Sequence, residues 1–418
     1  MRAIRIGICI SVAFAVLAHG AVEVWSESVL VVLAAVLLSV WCLRALVFHR
    51  RELHLPAFLL PVFLLTAYAC AQWLFGISIY PHLTRVEFLK LAAYLALLFL
   101  AVQTFRHIDE FRPFLWFLLS FGFLVALFGI LQHLTFNGKL YWVRELREAG
   151  YPFGPFVNRN HFAGLMELIA PLGMALLLYR GARRDQLPLL GLLTVFPVAA
   201  LFLSASRGGV VSFLFQLLLL GILSWTRPAG KRAVAFGLIV LLFASAFVFW
   251  VGVVPTWERF QRIEAGEVIQ NRRMVILKDS WRIVSDNLWL GTGLGTFETA
   301  YRRYESLYDG KVVNHAHNDY VELMVETGLL GTLCAAAFLF LLYRRALLRW
   351  GRDDSPFAMG ARLGALVSCS WLLFHGLVDF NLRIPSNALL FLLLAWLAVC
   401  PPRQAAVIPL NSRIPEAA

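Results

Sequence analysis

Four short stretches collect residues able to do chemistry. They are Asn158-Arg159-Asn160-His161, Ser204-Ala205-Ser206-Arg207-Gly208-Gly209, Asn314-His315-Ala316-His317-Asn318-Asp319, and a looser set of His375, Asp379, Asn381 and Arg383. Arg272 and Arg273 add a basic pair in a long polar stretch. Arginines make charge-assisted, often bidentate contacts with phosphate. A histidine titrates near working pH and serves as a general base. Together these residues suit an anionic ligand and a proton acceptor, with His317 the preferred base. His315 and His317, with Asp319 as a third ligand, have the spacing of a metal site, but so many arginines repel a cation, and no metal is expected. Asp319, Glu322 and Glu326 recur at helical spacing and are expected to pair with arginines.

The elements that hold these residues are membrane-spanning. Of the 418 residues, 60% are hydrophobic and only 15% are charged, against about 45–50% and about 25% in soluble domains. That excludes a soluble enzyme, a disordered chain and a secreted disulfide scaffold. The net charge of +12 comes from 37 Lys and Arg against 25 Asp and Glu. The basic residues sit between apolar runs, so nucleic acid is not the expected partner. The cysteines at 9, 42, 70, 334, 369 and 400 all lie inside apolar runs and form no ligand spacing.

Twelve apolar runs are counted, each near the length of a spanning helix. They cover 4–18, 29–47, 56–74, 86–105, 114–134, 161–179, 187–203, 210–225, 233–254, 320–343, 361–380 and 387–400. The expected fold is therefore all-α, with about twelve transmembrane helices. Residues 1–254 hold helices one to nine, 255–319 form one large polar loop, and 320–418 hold helices ten to twelve and a tail. The first run resembles a signal peptide and is read as an uncleaved anchor, because cleavage would leave an odd number of spans. Short connections rich in arginine, such as Arg50-Arg51, Arg183-Arg184 and Arg344-Arg345, place the N-terminus on the cytoplasmic side.

With that orientation, all four polar clusters fall at the outer face. Runs six, eight and ten begin there, so their free N–H groups and positive dipole ends point outward near Asn160, Arg207 and His317. The expectation is an outward anion site for a phosphate or pyrophosphate attached to lipid. In the large loop, Met274, Leu277, Trp281 and Val284 recur at helical spacing, with Asn271 as the expected cap and one apolar face against the membrane domain. The Gly291, Gly293 and Gly295 run reads as a tight turn, since no βαβ unit surrounds it.

These residues resemble the O-antigen ligase family, also called the O-antigen ligase/polymerase superfamily, whose members are polytopic GT-C type glycosyltransferases. The family's motif is His, then Asn, Ser or Gln, nine residues, Gly, two residues, and Gly, Thr or Tyr. It is met by His317-Asn318, residues 319–327, Gly328 and Gly331. A second motif, a basic residue, three residues and Leu, is met by Arg273 and Leu277, and Arg207 resembles the family's outer-face arginine. The likeness covers roughly 154–400.

The resemblance implies a bacterial inner-membrane enzyme with a periplasmic active site and loop. The donor would be a glycan on undecaprenyl pyrophosphate. The acceptor would be lipid A-core, a glycan repeat or a protein hydroxyl, with the motif favouring lipid A-core and the Asn158 to His161 cluster resembling polymerases. Transfer would be inverting and would need no cofactor or metal. His317 would be the base, with Arg207 and Arg273 neutralising the pyrophosphate. Arg159, Asn160, His161, Arg272, His315, Asn318 and Asp319 would contact substrate. A transporter or flippase is the alternative class, but no paired repeat is visible.

Overall fold

The computed structural model describes residues 1–48, 53–145, 152–225, 263–308, 310–350, 352 and 355–402, with four single positions between 235 and 246. The helices are α1 (Arg2–Leu17), α2 (Val24–Val47), α3 (Leu60–Leu74), α4 (Pro81–Thr104), α5 (Arg112–Leu134), α6 (Arg159–Leu178), α7 (Leu187–Leu203), α8 (Arg207–Trp225), α9 (Ile263–Asp286), α10 (Phe297–Tyr301), α11 (Asp319–Arg349), α12 (Pro356–His375) and α13 (Pro385–Val399). One small hairpin pairs β1 (Lys139–Leu140) with β2 (Arg144–Glu145). The chain is all-α and polytopic. Among the described residues, nine helical stretches are long and apolar enough to cross a membrane.

Those nine fall on nine of the twelve expected runs. The first and last runs form helices of 16 and 15 residues, shorter than the roughly 20 residues of a straight crossing. The ninth run, 233–254, lies almost wholly outside the described residues, as does the start of the large loop. The eleventh run is shifted. Its helix starts at Pro356 behind a Ser355 cap, whose Oγ accepts the Ala358 N–H at 3.0 Å, and it ends at His375. A serine cap followed by proline at the first helical position fixes that start. Asp379 consequently lies off the span, in the 376–384 connection that also holds Asn381 and Arg383.

Helices α6 and α12 form the centre. The apolar window of α6 is 94% buried, whereas that of α2 is 11% buried. Gly360 and Gly364 of α12 sit against α6 so closely that a Cβ would come within 3.0 Å of Leu176 Cα and 2.7 Å of Leu172 Cα. Small residues four apart allow such backbone contact where apolar burial drives nothing.

Helix α11 is broken. Its 31 residues would span about 46 Å, well beyond a hydrocarbon core of about 30 Å. At Gly328 the backbone turns to φ 58°, ψ −160°, a conformation open only to glycine. Residues 329–349 alone match the core thickness, which leaves Asp319, Glu322 and Glu326 on the segment before the break. The loop after α9 fills the gap. Thr292 and Gly293 donate to the carbonyls of Val325 and Glu326, and Leu288 O accepts from Leu329 N, at 2.8–2.9 Å. Gln72 of α3 completes the seal, donating to Leu290 O and Glu326 O and accepting from Leu294 N. Gly291, Gly293 and Gly295 all have positive φ, so the run is a tight turn, docked where a Cβ on Gly291 would strike the Glu326 carbonyl at 2.4 Å.

The loop helix α9 differs from its expected pattern. It begins at Ile263, so Asn271 lies inside it rather than capping it. Its buried apolar residues are Ile276, Ile283 and Val284, packed with Phe297, Tyr301, Val313, Val321 and Val325. Met274 and Trp281 face outward. The buried face also carries Asp279, which accepts from Tyr301 Oη and from Ser306 N and Oγ. An apolar pattern skips a buried acid that is satisfied by such bonds.

Candidate active site

Several site residues sit at helix starts, and each start has a local cause. Asn318 caps α11, its Oδ1 accepting from Tyr320 N and Val321 N at 3.0 Å. The residue before it, His317, takes φ 52°, in the left-handed region. The His-Asn pair of the motif thus has a physical meaning: asparagine fixes the helix start and histidine turns off it. At α8, Ala205 takes φ 51° and Ser206 accepts the Gly209 N–H at 3.1 Å, so Arg207 is the first helical residue. At α6, Asn158 accepts the Asn160 N–H at 2.9 Å, and Arg159 begins the helix.

The three helix starts meet around the 376–384 connection. Asp319 N donates to Gly376 O at 2.8 Å, Asn318 Nδ2 to Leu377 O at 2.9 Å, and Arg273 to Val378 O at 3.0 Å. Asn160 Nδ2 donates to Asp379 Oδ2 at 2.6 Å, and Ser206 Oγ donates to Asn160 Oδ1 at 2.9 Å. Asn387, in the first turn of α13, donates to His161 O and Asn381 Oδ1.

A cavity of about 300 Å³ opens beside this hub. It is lined by Arg272, Arg273 and Ile276 of α9, by Val312, Val313, Asn314, His315 and His317, and by Phe380. Arg272 donates to Lys311 O at 3.2 Å. His317 is about one-third exposed, and its Nδ1 faces the buried Asp379 Oδ1 at 3.7 Å. Burial alone would raise the Asp379 carboxyl; the facing His317 and the nearby His161 and His375 outweigh it and hold the group below the usual carboxylate range. Three imidazoles surround the Phe380 ring: His315 stacks on it at 4.0 Å, while His161 and His317 meet it edge-on at 4.9 and 5.2 Å.

His315 belongs to a second network. Its Nδ1 lies 2.8 Å from Glu322 Oε1, and Arg383 bridges Glu322, at 3.1 Å, and Glu326. Burial opposes a charged His315, but the Glu322 carboxylate prevails and holds it above the ordinary histidine value. The expected pairing of Glu322 and Glu326 with an arginine is therefore seen, with Arg383 as the partner. Asp319 differs: its Oδ2 accepts the Leu382 backbone N–H at 3.2 Å.

The cavity gathers Arg272, Arg273, His315 and His317. Arg207 is not among its lining residues; it adjoins Ser206, whose bond to Asn160 leads to Asp379. His161 is buried against Phe380, and Asn160, Asn318 and Asp319 make the structural bonds described above. Sequence reasoning placed Asp379 and Arg383 in an outer-face polar cluster without assigning either a partner, and passed over Phe380. It also passed over Glu167, whose Oε2 lies 3.0 Å from His375 Nδ1 deep between α6 and α12. A lone acid inside an apolar run was the available signal.

Residues 192–336 match the family model described as O-antigen ligase. No curated protein matches the chain. The matched stretch carries Arg207, Arg273, His317, Gly328 and Gly331, and the family comprises glycosyltransferase-like ligases and polymerases. Over that stretch the chain is similar to the O-antigen ligase family.

Proposed function

We propose that the protein transfers a glycan from undecaprenyl pyrophosphate to a hydroxyl of lipid A-core, at the periplasmic face of a bacterial inner membrane. The observation that carries this reading is the cavity in which His317 adjoins Arg272 and Arg273 with Asp379 behind the imidazole. His317 Nδ1 keeps its proton toward Asp379, leaving Nε2 to take the acceptor proton. The acceptor oxygen attacks the anomeric carbon with inversion. The bond from that carbon to the pyrophosphate oxygen breaks, and its electron pair stays on the leaving group. Arg273 and Arg207, helped by Arg272 and the helix N-termini, neutralise the growing charge. Such a donor is worth about 3 kcal/mol of barrier in other oxyanion sites.

Orientation follows from the arginine-rich connections, which lie at the opposite end from the cavity. The test is direct. Purified protein is incubated with lipid-linked glycan and lipid A-core, without ATP and with a chelator. A ligated product is expected. Extension of the donor glycan in place of ligation would identify a polymerase, and no transfer to any hydroxyl acceptor would overturn the reading.

A further inference from the structure

We infer that Asn160 is a positioning residue which, held by Ser206, sets the Asp379 carboxylate against His317 and so ties the base to the turn that carries Arg207. The inference rests on His317 acting as the base. It stands on the direction of every bond in one chain. The Gly209 N–H donates to Ser206 Oγ at 3.1 Å. The Ser206 hydroxyl, its acceptor side so used, donates to Asn160 Oδ1 at 2.9 Å. That fixes the amide's orientation, and its Nδ2 donates to Asp379 Oδ2 at 2.6 Å. The other oxygen, Oδ1, takes the Phe380 N–H at 2.9 Å and faces His317. Ser206 and Asp379 are buried, so water does not readily replace any link. The chain joins the starts of α6 and α8 to the 376–384 connection, where Asp379 faces His317 at the start of α11.

The alternative for Asn160 is direct contact with substrate, and its amide argues against that, being engaged at both ends. The groups that face Asp379 are His317, His161 from α6, His375 from α12 and Asp319 from α11. Three are imidazoles. Asn160 supplies a neutral donor among them, one that holds the carboxylate in place at any pH.

Two variants test the inference. Asn160→Ala is expected to lower kcat about 10- to 100-fold, the size of a lost hydrogen bond to a charged group, with the donor KM within about threefold. Asn160→Asp keeps the shape and removes the fixed donor. Two carboxyl groups in hydrogen-bond contact must share a proton to coexist, and that proton replaces the lost N–H. The Asn160→Asp enzyme should approach wild-type rates on the acid side of the profile and lose kcat on the alkaline side, where wild type stays flat. Ser206→Ala should act in the same direction as Asn160→Ala, and less strongly. A wild-type pH profile for Asn160→Asp would reduce Asn160 to a packing role. A raised donor KM with kcat unchanged in Asn160→Ala would make it a substrate contact. Either result overturns the inference. His317→Ala is measured beside them: if it retains full transfer, the base assignment fails whatever Asn160 does, and the two failures are told apart.

Discussion

The two ends of the helical bundle both hold buried arginines and use them differently. At the end away from the cavity, arginines close helix C-termini. Arg362, fully buried, donates to Ala398 O at 2.6 Å and Cys400 O at 3.1 Å; Arg349 donates to Val399 O; Arg5 donates to Thr104 O. These carbonyls are the unsatisfied ends of α13 and α4, where the helix dipole also favours a cation. At the cavity end the helices present N-termini, which need acceptors. Side chains supply them: Asn318, Ser206 and Asn158 cap the helices, while Glu322 and Glu326 hold Arg383. Arg273 gives one bond to Val378 O, and its buried Nε has no partner among the described residues. Cations at one end serve helix-end carbonyls, and Arg5 pairs with Glu110 as well. At the other, part of the positive charge remains for a ligand.

The largest effect expected at the cavity end is the loss of the base. His317→Ala should lower transfer by about 10²- to 10⁴-fold with donor binding retained, read in the ligation assay and by binding of the lipid-linked donor. An equal loss from a folded Arg362→Met protein would erase the functional contrast between the ends.

Stability sharpens the same contrast. Arg383→Met takes the guanidinium from the buried Glu322 and Glu326, and removing one partner of a buried charge pair costs about 3–5 kcal/mol. Arg362→Met leaves the carbonyls of Ala398 and Cys400 short of a donor, for about 1–3 kcal/mol. Thermal unfolding in detergent should rank Arg383→Met well below Arg362→Met. The reverse order would mean that the acid network is solvated and not structural.

Next come the cavity arginines. Arg273→Ala should lower transfer by about 10²- to 10³-fold, and Arg273→Lys should recover little, because a point charge does not reproduce a bidentate contact. Arg207 is the sharper case, since it lies outside the cavity lining. If Arg207→Ala transfers normally while Arg273→Ala does not, the pyrophosphate is held by α9 alone.

Much of this arrangement was legible in the sequence because it depends on hydrophobic run length and on cap chemistry. Nine apolar runs became spans, and the His317-Asn318 pair and the Ser206-Arg207 turn fell at helix starts. What was hidden depends on side chains meeting across long sequence distances. The partner of Glu322 is 61 positions away in Arg383, and Asp379 meets Asn160 across 219 positions. Run length also misled at α11, where the apolar signal continues through Gly328 and conceals a break sealed by Gln72 and a distant glycine turn. At α9 the pattern chose Met274 and Trp281, because the buried face includes Asp279 and Ser280, polar residues satisfied only by tertiary contacts.

The smallest effect expected is a pH dependence of stability confined to the cavity end. Glu322 holds His315 above the ordinary histidine value of about 6.5. A group raised on folding binds more protons in the native state, so its contribution is fully present below the unfolded value and is lost as pH rises through the folded one. Asp379 runs the other way. Held below the usual carboxylate range, it contributes above the unfolded value and loses that contribution as pH falls. The cavity end should therefore be firmest between the two, while the arginines of the opposite end keep their charge throughout. His315→Gln should leave the acid-side loss in place and remove the alkaline-side one. The measurement is the difference in melting temperature between wild type and variant across pH, which should shrink as pH climbs above neutrality. A difference that grows with pH would show that His315 is neutral in the folded protein and that Glu322 is held by Arg383 alone.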